Sequence, residues 1–252
     1  MAVSPARFAE QLDVIATRFL PLPLSELAPA LRAKDVPHGA VALTFDDGYR
    51  DVLLAAKPQL ERRGIPATVF VISGYVDSGR EFWWDLLERL APQLEGDYLA
   101  WHRKLQPLAE SERWAVLEEL VEGLETAQPS AVSAAELRLL AEGGLVEIGA
   151  HTVTHPALTG LSRGEQLEEM RGSKKQLEAM LGRPVRAFSY PYGIYDATSA
   201  ECARATGFAY ACTSVGRPVT GEDDPFELPR LHVEDWPGDS FEEQLSDALG
   251  PS

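Results

Sequence analysis

The chain has 252 residues and a formal charge of −16, from 39 acidic and 23 basic side chains. This length fits one large domain, and 45% apolar with 25% charged residues is ordinary for a globular protein. The excess of negative charge would repel phosphate groups, so the composition disfavours binding to nucleic acid or to a membrane surface.

Helical and strand-like patterns alternate along the chain. A helical lead-in occupies residues 1–40, with an amphipathic helix predicted over 7–20 and a shorter helix over 24–32. Apolar runs that suit buried strands follow, separated by helical stretches. The predicted strands lie at 41–47, 67–73, 145–151, 187–193, 208–214 and 228–233. The predicted helices lie at 50–63, 162–181, 196–206 and 240–249, and another begins after Ser133 with Glu136 in its first turn.

The order of these elements predicts the architecture. Ser162 and Glu165 are predicted to form a capping box at the start of the helix over 162–181. Residues 81–128 are helical and charged, and they are too many for a single crossover between strands, so we predict a helical insertion there. Strands that alternate with helices predict a parallel sheet covered by helices, in a single α/β domain spanning residues 1–252.

Cysteine usage and the N-terminus say little about chemistry. Cys202 and Cys212 form no CxxC pair, and we expect both to be small apolar fillers of the core. The first residues lack a basic head followed by an apolar core, and no run approaches the ~20 apolar residues of a spanning helix. We therefore expect no signal peptide, no membrane segment and a cytoplasmic location.

The first stretch with chemical content is TFDDG, at residues 44–48. Asp46 and Asp47 end an apolar strand, where one of two adjacent carboxyls has a raised pKa unless a cation or hydrogen bonds stabilise both charges. One of them could bind a metal while the other faces a nucleophile. The structural alternative is a turn with Gly48, or a cap for the next helix.

The second stretch is HTVTHP, at residues 151–156, directly after a predicted strand. His151 and His155 can reach one cation, and imidazole suits zinc and related divalent metals. An HxxxH pair alone is a weak signal, because surface or core histidines also have this spacing. Its position at the end of a strand, with two of the five histidines of the chain, strengthens it.

The two stretches together suggest a hydrolytic centre. Asp47, His151 and His155 make a set of two histidines and one carboxylate, which leaves open positions for water and substrate. A structural zinc site would normally have four protein ligands instead. A metal in this set would polarise a carbonyl and lower the pKa of its water, and Asp46 could then remove the proton.

TFDDG and HTVTHP together are the signature of the polysaccharide deacetylases, also called the NodB-homology or carbohydrate esterase family 4 group. The chain resembles this family over residues 41–236, since SYPYG (189–193) is similar to its third motif and EDW (234–236) to its fourth. The resemblance implies a distorted (β/α)₇ barrel with its site at the C-terminal ends of the strands. It also implies that Asp46 is the catalytic base and that the ligands of the metal, usually zinc, are Asp47, His151 and His155.

The resemblance implies further roles late in the chain. The backbone N–H of Tyr192 would help to form the oxyanion hole. Where the third motif commonly has an arginine, this chain has Ser189; Arg230 or Arg186 could replace it, and we favour Arg230, which follows a strand-like segment. His232 is the candidate for the general acid of the family, and a half-buried strand histidine fits its position equally well.

The aromatic stretch EFWWD, at residues 81–85, has two interpretations. Its tryptophans could stack on the apolar faces of sugar rings, or they could anchor the inserted helices on the barrel. We favour the anchor. His102, in the same helical region, is expected to face solvent.

The leading hypothesis is therefore metal-dependent removal of N-acetyl groups from an amino-sugar-containing glycan or glycan precursor. A negatively charged surface suits a neutral N-acetylated carbohydrate and disfavours a polyanionic one. One alternative is hydrolysis of another C–N bond, in a small cyclic amide or imide. The other is a pseudoenzyme that binds sugar, which the intact aspartates and histidines argue against and the missing motif arginine argues for.

Overall fold

In the computed structural model of the chain, residues 3–121 and 127–249 are described. Seven short strands in these residues form two sheets, and every neighbouring pair is parallel. β1 pairs with β2, and the main sheet has the order β3-β4-β5-β6-β7. The strands are β1 (Leu20–Pro21), β2 (Ala40–Val41), β3 (Leu43–Phe45), β4 (Ala67–Val71), β5 (Val146–Ala150), β6 (Ala187–Ser189) and β7 (Tyr210–Cys212).

Helices fill the connections between strands, as the alternating pattern predicts. The capping boxes predicted at Ser133 and Ser162 are both formed, with Glu136 and Glu165 as the respective partners. The helices are α1 (Pro5–Arg18), α2 (Leu24–Ala33), α3 (Lys57–Arg63), α4 (Trp83–Leu90), α5 (Tyr98–Leu105), α6 (Glu110–Leu120), α7 (Ala134–Ala141), α8 (Arg163–Leu181), α9 (Ala197–Thr206) and α10 (Gly238–Leu249).

The main sheet is a curled half-barrel, so the predicted fold class is confirmed. All five residues of β4 are buried, as expected for a central strand with helices outside the sheet. Cys202 and Cys212 are buried and unpaired, which confirms their predicted role as fillers. Because the strands are parallel, their C-terminal ends lie along one edge, and the residues that follow them can meet there.

The helices α4, α5 and α6 lie between β4 and β5 in the chain and have a separate apolar cluster. Trp83 and Leu87 are completely buried in it, so Trp83 is the anchor that we expected. Arg113 is also buried, and its guanidinium lies over the Trp83 ring, 4.8 Å from its centroid. The insertion predicted over 81–128 also contains residues 122–126, which lie outside the described residues.

One predicted strand is wrong. The strand predicted over 228–233 is reduced to one isolated parallel bridge between Cys212 and Leu228. The next residue is Pro229, which has no N–H to donate and so cannot continue a ladder. The helix predicted over 50–63 is confirmed, and it contains a π-helical segment, Val52–Ala56, directly before α3.

Candidate active site

Three donor groups from two strand ends converge on one point. Asp47 lies two residues after β3, His151 directly follows β5, and His155 lies in the loop beyond it. The Nε2 atoms of both histidines are 3.6 Å from Oδ1 of Asp47, and they are 3.2 Å from each other. Both imidazoles are buried. The set proposed from the sequence is therefore assembled in space.

The spacing of these atoms fits a divalent cation. Tetrahedral coordination with bonds of about 2.1 Å places ligand atoms about 3.4 Å apart, close to the three distances observed. The Nδ1 of His151 lies 2.7 Å from the carbonyl oxygen of Ser189, and donation there leaves its Nε2 lone pair free for a ligand bond. Burial lowers the pKa of both histidines, which favours the neutral form that binds metals.

The electrostatics of Asp47 lead to the same conclusion. Burial, reinforced by the neighbouring Asp46 carboxylate, raises the pKa of Asp47 to about 8. A dication at the convergence of the three donor atoms would instead favour the ionised carboxylate. The chemistry of the donor set and its geometry therefore both fit a metal such as zinc.

Asp46 points to a different partner, the guanidinium of Arg230. The two nitrogens Nη1 and Nη2 donate to Oδ1 and Oδ2 of Asp46, at 2.8 and 2.7 Å, in a bidentate pair. Burial opposes ionisation of Asp46, but the charge and hydrogen bonds of Arg230 prevail and lower the pKa of Asp46 to about 2. Asp46 is therefore ionised throughout the neutral range.

Arg230 occupies the place that Ser189 leaves open. Its Nη2 also donates to Oγ of Ser189 at 3.0 Å, and its Nε donates to the carbonyl oxygen of Thr213 at 2.7 Å. The guanidinium thus reaches the expected position from a later segment of the chain. Arg186, the other candidate, is exposed before the start of β6, at the opposite end of that strand from Ser189.

The backbone of the site is strained. Among the described residues, six that are not glycine have a positive φ, and four of them belong to the site motifs: Asp47 (71°), Thr152 (66°), His155 (57°) and Tyr192 (59°). Such conformations cost about 1–3 kcal/mol each and persist where the surroundings hold them. They aim adjacent side chains in different directions, which is why Asp46 and Asp47 reach separate partners.

Aromatic rings flank His155. The ring of Tyr192 lies 4.4 Å from that of His155 between centroids, and the ring of Trp84 lies 4.9 Å away. Nε1 of Trp84 donates to the hydroxyl of Tyr49, which donates to Asp85. The favoured interpretation of EFWWD, an anchor, therefore holds for Trp83, whereas Trp84 lies at the site beside His155.

Two further histidines lie near the site. His102 was expected to face solvent, and this is wrong: it is half-buried, with its ring 4.8 Å from Trp83 and 6.2 Å from Tyr192. Helix α5 packs against α4, which turns this face of α5 inward. His232 is exposed, two residues after Arg230, and a positive charge on it would contribute to lowering the pKa of Asp46.

Comparison with known families agrees with this geometry. A family model described as polysaccharide deacetylase matches residues 33–211. The chain belongs to the polysaccharide deacetylase family. The matched region of this deacetylase-family chain includes Asp46, the three candidate metal ligands and Tyr192. It ends before Arg230 and His232.

Individual relatives are distant. A curated protein of Bacillus subtilis (strain 168), named as the polysaccharide deacetylase YxkH, is 24% identical over 193 residues, which are 77% of this chain and 51% of that protein. The chain thus spans about half the length of that relative.

Solved structures match almost the whole chain. IcaB from Ammonifex degensii has 25% identity and a TM-score of 0.70, covering 99% of this chain and 91% of that one. The Streptococcus pyogenes deacetylase PplD, solved with acetate, has 22% identity and a TM-score of 0.71, covering 99% and 88%. These likenesses confirm the deacetylase fold. Within the described residues, no helix has the length and apolar character needed to cross a membrane.

The Arg230–Asp46 pair predicts a pH-dependent loss of stability. Arg230→Met should lower the free energy of unfolding at neutral pH by about 2–3 kcal/mol, below the range for fully buried pairs because Asp46 is 32% exposed. Folding lowers the pKa of Asp46 from 3.8 to about 2, so the ionised carboxylate stabilises the fold at pH values above 3.8. This contribution disappears as the pH falls to about 2. The difference between wild type and variant should therefore shrink over that interval.

Urea denaturation at a series of pH values measures this difference. Arg138→Met is the matched control, since the Nε of Arg138 donates to the carbonyl oxygen of Met180 and it forms no ion pair among the described residues. Its effect should not change over the same interval. A difference for Arg230→Met that is equally constant would contradict the assigned ion pair.

Proposed function

We propose that this chain is a metal-dependent hydrolase that removes N-acetyl groups from an amino-sugar-containing glycan or glycan precursor. The observation that carries the proposal is the pairing of two sites: a set of Asp47, His151 and His155 donors 3.2–3.6 Å apart, and an ionised Asp46 held by Arg230. Such a set leaves coordination positions open, as hydrolytic centres do. The family of the chain and its net charge of −16, which suits a neutral substrate, agree with this.

The proposed cofactor is zinc, held by Asp47, His151 and His155. Zinc bound there would polarise the acetamide carbonyl and lower the pKa of the attacking water. Ser189 supports the set through its carbonyl oxygen, which fixes the tautomer and orientation of the His151 ring.

Asp46 is the proposed catalytic base. With its pKa lowered to about 2, it is ionised at neutral pH and able to accept a proton, although it is a weak base. Arg230 is a positioning residue in this scheme. Its fork holds both carboxylate oxygens, so the orientation of Asp46 is fixed before the substrate arrives.

Two later residues complete the proposed machinery. The backbone N–H of Tyr192 would stabilise the oxyanion, and the Tyr192 ring against His155 keeps this segment beside the metal ligands. His232 would donate a proton to the leaving amine. Its exposure and its electrostatic interaction with Asp46 support a place at the open side of the site.

Arg230 also bears on the alternative of a sugar-binding pseudoenzyme. That alternative relied on the missing arginine at position 189, and a guanidinium now contacts both Ser189 and Asp46. No observation in the structure favours a small cyclic amide or imide as substrate. Such compounds serve as a further arm of the assay below.

Metal removal, one variant of the proposed base and one variant of a proposed metal ligand test the proposed function. Acetate release from N-acetylglucosamine oligomers should stop after treatment with a chelator and return with zinc. Asp46→Asn should lower kcat by about 10²–10⁴-fold while zinc binding persists. Asp47→Ala should abolish both zinc binding and turnover, because it removes a ligand.

Asp13→Asn is a control, because Asp13 forms a surface ion pair with Arg63 and should be dispensable. Acetate release that is unchanged by chelation, or by Asp47→Ala, would refute the metal-dependent mechanism. Turnover of cyclic amides in place of sugars would redirect the proposal to the other C–N bond.

The role of His232 is tested by the leaving group. His232→Ala should lower kcat on an N-acetyl sugar by about 10²-fold, because an amine must be protonated as it departs. The same variant should hardly affect hydrolysis of 4-nitrophenyl acetate, whose leaving group needs no proton. The exposed His38 provides the control substitution, His38→Ala. Equal losses on amide and ester, or no loss on either, would be inconsistent with a general acid.

A further inference from the structure

Glu169, on α8, contacts the loop that joins the two candidate histidine ligands. Its Oε2 accepts hydrogen bonds from the backbone N–H groups of Val153 and Thr154, at 2.8 and 2.9 Å. Its Oε1 accepts from the hydroxyl of Thr154 at 2.7 Å. Both carboxylate oxygens are thus occupied by the residues between His151 and His155.

The loop from His151 to His155 has a strained backbone, which contacts from other parts of the chain must stabilise. Thr152 and His155 both have left-handed backbones, with φ values of 66° and 57°. Within the loop, the hydroxyl of Thr152 accepts from the backbone N–H of His155 at 3.0 Å. That bond fixes one side of the turn and leaves the N–H groups of Val153 and Thr154 pointing at Glu169. Charge-assisted hydrogen bonds of this kind are stronger than neutral ones.

Close packing holds the same loop from two sides. The N–H of Gly74 donates to the carbonyl oxygen of Val153 at 3.0 Å. A Cβ at Gly74 would lie 2.5 Å from that oxygen, and a Cβ at Gly172 would lie 2.9 Å from Cγ2 of Val153. Val153 therefore fits between two positions without side chains, with Gly172 on the same helix as Glu169.

The hydrogen bonds that Glu169 accepts all come from this loop. Among the described residues no Lys, Arg or His forms an ion pair with it, so its carboxylate is stabilised by the three N–H and O–H donors of the loop. Removing the carboxylate would leave two backbone N–H groups without their acceptor, in a loop that is already strained.

We propose that Glu169 is a positioning residue for the metal site: it holds the 151–155 loop so that His151 and His155 present Nε2 atoms at ligand spacing. This inference rests on the proposed metal function. It predicts that Glu169 tunes metal affinity without contacting the metal, as outer partners of ligands commonly do.

Zinc affinity, measured by competition with a chromogenic chelator, tests this without turnover. Glu169→Ala should weaken zinc binding by about 10–100-fold. Glu169→Gln keeps an oxygen acceptor of the same reach and should recover part of that loss. Glu168→Ala is the matched control, because Glu168 is the exposed preceding residue on α8 and should leave zinc affinity unchanged.

Circular dichroism first establishes that each metal-free variant is folded at the temperature of the titration. If Glu169→Ala is not folded, Glu169→Leu, which retains more of the side-chain volume, is judged by the same criterion. A folded Ala or Leu variant whose zinc affinity is within about twofold of wild type overturns the proposal. Loss of a residue that orients metal ligands usually changes the affinity by about 10–100-fold. So does a Gln variant no better than the Ala or Leu variant. Wild-type protein that binds no zinc would instead refute the proposed metal function itself.

Discussion

The rest of the site depends on how the charges of Asp46 and Asp47 are compensated. Two carboxylates in succession after β3 repel each other, and the structure separates them by turning the backbone of Asp47 to a φ of 71°. Asp46 then meets the guanidinium of Arg230, and Asp47 meets two buried neutral imidazoles. Neutral imidazoles provide lone pairs but do not compensate the charge of an ionised Asp47. The donor set of Asp47, His151 and His155 therefore favours the binding of a cation.

The same ion pair links the two ends of the open sheet. Arg230 follows a segment that touches β7 through the Cys212–Leu228 bridge, and its Nη1 donates to the hydroxyl of Thr44 on β3 at 3.2 Å. The main sheet has β3 and β7 as its edges. One partly buried guanidinium therefore spans the gap in the half-barrel and orients the proposed base, so architecture and chemistry depend on the same contacts.

The sequence was informative where chemistry follows a strand end. A parallel α/β fold predicts that residues after β3 and β5 meet, so the sequence alone indicates that Asp47, His151 and His155 lie together. Arg230 could be proposed only as one of two candidates, because its partner Asp46 lies 184 residues away and Ser189 gives no sign of it. The sequence does not decide which tryptophan of EFWWD lies at the site, and Glu169 carries no local signal, because their contacts arise from the packing of α4 and α8 on the site. The prediction that His102 faces solvent was wrong for the same reason, because the packing of α5 against α4 could not be read from the sequence.

Occupation of the site by zinc is the central claim of this account. A crystal structure of the protein soaked in zinc, with anomalous data collected above and below the zinc edge, tests it most directly. We expect one strong anomalous peak bound by Asp47, His151 and His155, with Asp46 still paired to Arg230. An absence of zinc at these three residues under saturating conditions, or zinc bound by Asp46 in place of Arg230, would contradict the account.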